Sequence, residues 1–101
     1  MNRITEKFLQ AVCDRINRAT NSPMEAYVFY PATETSPSGY KAQIGCYHLS
    51  HAYGGVSLHR MHNEGGGVED VFGCGHVPKR ELSERMFAFL KGLEAAEQKA
   101  A

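Results

Sequence analysis

The 101-residue sequence has no tryptophan, no excess of either charge and only three cysteines. Eleven lysines and arginines balance eleven aspartates and glutamates, so no overall field attracts the chain to nucleic acid or to an anionic membrane. No apolar run reaches the roughly 18 residues of a membrane-spanning helix, and the charged, amphipathic N-terminal stretch does not resemble a signal peptide. These absences predict a cytoplasmic protein that does not bind membranes. They also argue against nucleic acid as a partner.

The cysteines, Cys13, Cys46 and Cys74, are odd in number and irregular in spacing. Small secreted domains instead carry an even set that forms a disulfide framework. We therefore expect three free thiols. A hydrophobic fraction of 43% in a chain of this length is enough for one core, so residues 1–101 are predicted to form a single domain.

Both ends of the chain carry apolar residues at helical spacing. The first stripe comprises Ile4, Phe8, Val12 and Ile16, and the second comprises Leu82, Met86, Phe89, Leu90 and Leu93. The first predicts an amphipathic helix that ends near Asn21 and Pro23, and the second a helix that begins near Pro78. The tail from about residue 95 has nothing large to bury and is expected to fray.

Between the helices the apolar period shortens to about two residues, which is typical of strands. Strands are predicted at Ala26–Tyr30, from Tyr40 to about His48, in "VSLHRMH" and in "VEDVF". The predicted fold is therefore α+β: a two-layer sandwich of helix, four-stranded antiparallel sheet and helix (αββββα). Because two helices cover one face of such a sheet, the other face is expected to be open.

Residues 46–76 contain all five histidines, two of the three cysteines and seven of the ten glycines. This segment lies in an acidic region, with five acidic and two basic residues between Asn21 and Val77, so protonation of the histidines near pH 6 reverses its sign. The glycine runs "AYGG" and "NEGGG" precede strands instead of helices, which favours turns over phosphate loops.

Two histidine and cysteine sets are alternatives for a metal site. One set is Cys46, His48, Cys74 and His76, which form two C-x-H units without the spacing of structural zinc sites. The other is His59 with His62, which share a face only if a β-bulge near His59 and Arg60 absorbs the shifted apolar phase at Met61. The favoured interpretation is that neither set binds metal and that no cofactor is needed.

Catalysis is also disfavoured. Cys74 lies in "GCGH" close to His76 and to the predicted N-terminus of the last helix, where a thiolate is stabilised. The sequence shows no acidic partner for this pair and implies no oxyanion donor. We therefore predict a protein that is not an enzyme.

The order helix, antiparallel sheet, helix, with "GCGHVPKREL" before the last helix, resembles the layout of double-stranded RNA binding domains. The resemblance implies RNA binding through cations at the start of the last helix. Here only Lys79 and Arg80 stand at that point, and Glu81 and Glu84 follow directly. RNA binding is therefore kept as an alternative.

The stretch "AYGGVSLHRMHNEGGGVEDVF", followed by "KREL", resembles small uncharacterised proteins of tailed phages and prophages. The residues that carry the resemblance are Gly54, Gly55, Leu58, Asn63, Gly66, Gly67 and Val68. It implies a bacterial cytoplasmic setting, and it supplies no activity and no functional residues.

The function that the sequence favours is non-enzymatic binding or assembly through an open sheet face or edge. An uncovered antiparallel face in so short a chain leaves aromatic surface to be buried, and pairing of two copies covers it most simply. We therefore predict a homodimer or another protein partner. The candidate binding residues are Tyr47, His59, Arg60 and His62.

Overall fold

The computed structural model describes residues 3–100, with side chains from residue 3 to residue 96. Its elements are α1 (Glu6–Ala19), β1 (Tyr27–Tyr30), β2 (Gly39–Ala42), β3 (Tyr47–Ala52), β4 (Gly55–Met61), β5 (Val68–Asp70) and α2 (Lys79–Ala100). The predicted α+β class is confirmed. A single four-stranded sheet is not confirmed, because β1 and β2 form one antiparallel sheet and β3, β4 and β5 form another.

The two helices lie together on one face of the three-stranded sheet. Helix α1 begins at an N-cap, Thr5, whose hydroxyl accepts the Phe8 N–H at 3.1 Å, and Glu6 in its first turn suits the positive end of the helix dipole. Helix α2 follows Pro78. The core contains Leu9, Val12, Cys13, Ile16, Val56, Leu58, Leu82, Met86 and Leu90, all at most 3% exposed.

A buried amide ties α1 to the sheet at Tyr47. The Asn17 side chain donates to the Tyr47 carbonyl at 2.9 Å and accepts the Tyr47 N–H at 2.8 Å, and it is only 1% exposed. Tyr47 is the first residue of β3 to pair with β4, and the Asn17 side chain satisfies both of its backbone groups. This contact sets the position of β3 against the helix.

The predicted strand from Tyr40 to His48 is interrupted. A turn at Gln43–Cys46, closed by the Cys46 N–H to the Gln43 carbonyl at 3.2 Å, separates β2 from β3, and Gly45 adopts φ +92° within it. The turn resets the side-chain phase. Tyr47 therefore faces the helices, and the expectation that it lies on the outward face is wrong, whereas His48 lies on the side away from them.

β4 has no bulge near His59 and Arg60, so the condition under which His59 and His62 would share a face is not met. β4 pairs with β3 without a break from Gly55 to Arg60. On its other side, β4 pairs with β5 from His59 to Met61. Val56 and Leu58 pack against the helices, while Met61 belongs to a second cluster with Ala42 and Cys46. The shift of apolar phase within β4 therefore marks two cores on opposite faces of one regular strand.

The β1–β2 hairpin packs against the rest of the chain at its base. Ala26 and Ala42 contribute to the second cluster there, and the Gln43 N–H donates to the Ala26 carbonyl at 2.8 Å. Beyond the base, all four residues of β1 are exposed. No helix in the described residues is long and apolar enough to cross a membrane.

Candidate functional site

The face of the three-stranded sheet turned away from the helices is polar. Register pairs His48 with His59, Ser50 with Ser57, and His59 with Asp70, so these side chains share one face. A regular alternation along β4 produces this arrangement, since Val56 and Leu58 occupy the other face. The face that the sequence predicts to be open thus carries histidines, serines and one carboxylate, which are partly buried, and Ser57 is 0% exposed.

A five-residue excursion, residues 72–76, brings another histidine to this face. The Val71 N–H donates to the Leu58 carbonyl at 3.0 Å, and Val77 exchanges two hydrogen bonds with Val56 at 2.8 and 2.9 Å. Between these two points the five residues stand opposite Ser57 alone. The excursion ends with His76, whose Nε2 lies 3.1 Å from the Ser50 hydroxyl.

Asp70 and two glycines shape the excursion. The Asp70 carboxylate accepts the N–H of Gly73 at 3.1 Å and of Gly75 at 2.8 Å, and both glycines have positive φ, +65° and +71°. Burial acts to raise the pKa of Asp70, but the backbone N–H donors outweigh it and the pKa lies below its ordinary value. The "GCGH" motif is thus a local turn that positions His76.

Three histidines form a row on this face. The rings of His48 and His59 are 6.0 Å apart, and those of His59 and His76 are 5.8 Å apart. Burial lowers the pKa of His59, the neighbouring His48 and His76 lower it further, and Asp70 partly opposes them. The environment therefore favours the neutral form of His59, in which one ring nitrogen donates and the other is available as an acceptor or ligand.

The candidate binding residues from the sequence are divided between two faces. Tyr47 and Arg60 are opposite each other on the helix side, where the Arg60 guanidinium is 5.7 Å from the Tyr47 ring centre and 3.5 Å from Glu69. His59 lies on the polar face. His62 lies beyond the end of β4, is exposed, and donates its backbone N–H to the Gly67 carbonyl.

The cysteine-containing metal set is not assembled. Cys46 is buried in the second cluster. Burial, with a smaller effect from the negative charge of Asp14, raises the pKa of its thiol. Cys74 lies in the excursion. The alternative pair is not assembled either, because His59 lies on the polar face of β4 and His62 lies beyond the end of that strand. Among the described residues, no group of three or more His, Cys, Asp or Glu side chains is placed to hold a metal ion.

A second candidate surface, the β1–β2 hairpin, was only partly indicated by the sequence. Its exposed large apolar and aromatic residues are Tyr27 (50%), Val28 (42%), Phe29 (55%), Tyr30 (42%) and Tyr40 (71%). Phe29 and Tyr40 are cross-strand neighbours with ring centres 5.4 Å apart. The signal in the sequence is that "YVFY" does not alternate between apolar and polar residues.

A groove of about 410 Å³ runs beside the hairpin. It is lined by residues of β1, β2 and the following turn, including Val28, Tyr30 and Ile44. Lys41 and Glu64, which also line it, form an exposed ion pair at 3.2 Å. The hairpin therefore offers apolar side chains and a concave surface at one place.

Comparisons with protein-family models, with curated proteins and with solved structures found no match.

Proposed function

We propose that the protein is a non-enzymatic binding or assembly protein, that its partner surface is the β1–β2 hairpin, and that the partner is a second copy of the chain. The observation that carries the proposal is that every residue of β1 is an apolar or aromatic side chain at least 42% exposed. The predicted phage or prophage origin and bacterial cytoplasmic setting belong to the same proposal.

The exposed area supports pairing. Aromatic side chains offer about 150–250 Å² each, so Tyr27, Phe29, Tyr30 and Tyr40, each about half exposed or more, present on the order of 400 Å². Exposed Val28 and Ile44, which line the groove beside the hairpin, add to this surface. A stable interface buries roughly 800 Å² on each partner. The hairpin approaches this size only if most of these side chains take part, so we expect a weak dimer.

The strand edge supports a self-complementary interface. β1 pairs with β2 along one edge, and the described residues provide no hydrogen-bond partners for its other edge. The strand contains no lysine, no proline and no bulge, which are the devices that commonly protect an edge strand. Two copies that place their β1 edges together antiparallel form a four-stranded sheet with twofold symmetry.

Light scattering after size exclusion at tens of micromolar tests this proposal. We expect a mass of twice 11.2 kDa for the natural sequence and a shift toward one chain mass for Phe29→Ser and Tyr40→Ser. Tyr53→Ser is the matched control, because Tyr53 is 98% exposed but lies at the β3–β4 turn. A mass of one chain for the natural sequence at this concentration contradicts the proposal.

A second candidate, binding of double-stranded RNA, is favoured by one observation. A groove of about 650 Å³ joins the N-terminal ends of both helices and the β3–β4 turn, and its lining includes Arg3, Gly54 and Lys79. Two cations and two helix N-termini suit phosphates, as the resemblance to RNA binding domains implies. Glu6, which also lines this groove, opposes them.

A gel-shift experiment with a short RNA duplex distinguishes the two functions. RNA binding predicts a shift at low salt that weakens as salt rises and is lost in Lys79→Glu, because a few phosphate contacts carry the affinity. Phe29→Ser, which is expected to disrupt the dimer, leaves such a shift unchanged. The absence of any shift at low salt removes RNA binding and leaves the dimer proposal standing.

A further inference from the structure

We propose that His48 and His59 form a two-histidine chelating site for a divalent transition metal ion of the Ni²⁺, Cu²⁺ or Zn²⁺ class. The site lies on the polar sheet face and is independent of the hairpin. It differs from both metal sets considered from the sequence, because it uses one histidine from each set.

The strand register brings the two rings to chelating distance. His48 and His59 are direct partners on adjacent antiparallel strands, which places their Cβ atoms about 4.5–5.5 Å apart. Nitrogen–metal bonds of about 2.0–2.1 Å place the centres of two imidazoles on one tetrahedral ion roughly 5 Å apart. The observed separation of 6.0 Å needs only a small rotation of the two side chains.

The ligand atoms are available. The Nδ1 atom of His48 lies 3.4 Å from the Cys46 carbonyl, a contact that orients the ring and leaves Nε2 for the ion. The ring of His59 makes no hydrogen bond with the described residues, so no other group occupies its nitrogens. A metal ion binds the unprotonated nitrogen of an imidazole, and each of the two rings can present one.

The surroundings limit the site to two protein ligands. His76 is 5.8 Å from the His59 ring, but its Nε2 lies within hydrogen-bonding distance of the Ser50 hydroxyl. The Asp70 carboxylate accepts the N–H groups of Gly73 and Gly75. Neither side chain converges with His48 and His59 on one point, in keeping with the lack of any three-ligand group among the described residues. Water completes the coordination of the ion.

Calorimetric titration of untagged, chelator-treated protein with NiCl₂, CuCl₂ and ZnCl₂ tests the site near neutral pH. We expect saturable binding of one ion per chain for at least one of the metals. Loss of an outer-shell partner commonly weakens metal binding by about 10- to 100-fold, so loss of a ligand in His48→Gln or His59→Gln is expected to weaken it at least as much. Binding is also expected to weaken as the pH falls from about 7.5 to about 5.5, because protons compete for the imidazoles.

His62→Gln and His51→Gln are the matched controls. His62 lies beyond the end of β4, and His51 lies on β3 with its Nε2 3.4 Å from Glu6. Both variants are expected to bind the ion as the natural sequence does, and circular dichroism checks that all four variants are folded. The proposal is overturned if no metal binds at millimolar concentration, or if binding survives His48→Gln or His59→Gln. It is also overturned if His62→Gln or His51→Gln abolishes binding.

Discussion

The three-stranded sheet and the β1–β2 hairpin use similar residues for opposite purposes. In the sheet, Val56 and Leu58 are at most 1% exposed beneath two helices, whereas Val28 and Phe29 of the hairpin are 42% and 55% exposed. A two-stranded ribbon has little stability of its own in water. The hairpin is therefore held by its base, and its apolar side chains remain available to a partner, which the sheet residues are not.

The contrast between the buried sheet residues and the exposed hairpin residues is tested most strongly by truncating one side chain in the core of the sheet. Leu58→Ala removes a side chain of the main core that is 0% exposed, so we expect a loss of about 2–5 kcal/mol in the free energy of unfolding. Urea denaturation measures this loss. A change below about 1 kcal/mol contradicts the assignment of Leu58 to the main core.

The link between α1 and the sheet is tested by Asn17→Ala. The substitution leaves the N–H and the carbonyl of Tyr47 without their buried partner, and we expect a loss of about 1–3 kcal/mol. Denaturation by urea again gives the value. Gln10→Ala on the exposed side of α1 is the control, and an equal effect of the two substitutions argues against the role of Asn17.

Gly55→Ala tests the backbone pairing of Val77 with Val56, where the chain rejoins β4 after the excursion. An added Cβ meets backbone atoms of His76 and Val77 at 3.0 Å and forces Val77 away from Val56, so we expect a loss of about 1–3 kcal/mol. Gly54→Asn at the adjacent turn is the control, since no atom lies within 4 Å and asparagine tolerates its φ of +75°. Thermal unfolding compares the two variants.

The hairpin surface is tested by Phe29→Ser at a concentration low enough to disfavour association. Because the side chain is exposed in the single chain, we expect its stability to change by no more than about 0.5 kcal/mol. A loss as large as that of Leu58→Ala shows that Phe29 is a core residue and removes the contrast between hairpin and sheet.

The polar face predicts a pH dependence that the hairpin does not share. The pKa of His59 in the folded protein is below its ordinary value of 6.5, so the unfolded chain takes up a proton first as the pH falls. Stability is therefore expected to decrease as the pH is lowered through 6.5 and to level off below the pKa of the folded state. His59→Gln is expected to reduce this decrease, as followed by urea denaturation between about pH 7 and pH 5. An unchanged pH dependence contradicts the assignment.

The helices and the approximate places of the strands followed from the sequence, because stripes such as Leu82 and Met86 depend on local spacing alone. Two features did not follow. The sequence around Gly45 is compatible with an alternating strand as well as with the turn that it forms. The phase shift at Met61 suggests a bulge from the sequence alone, whereas in the structure Met61 packs with Ala42 and Cys46 on the other face of a regular strand. Both depend on contacts between distant segments, as does the row formed by His48, His59 and His76.

Because Cys13 and Cys46 are buried, thiol modification of the folded protein is selective for the third cysteine, Cys74. Burial, with lesser effects of Asp14 and Cys46, raises the pKa of Cys13 to about 12, and Cys46 is 1% exposed. A thiol reacts as its thiolate and only where a reagent can reach it. Cys74, partly exposed in the excursion two residues before His76, is the thiol open to alkylation in the folded chain. The native sequence thus carries a single attachment point for a fluorescent or spin label beside the histidine row, with no engineered cysteine required.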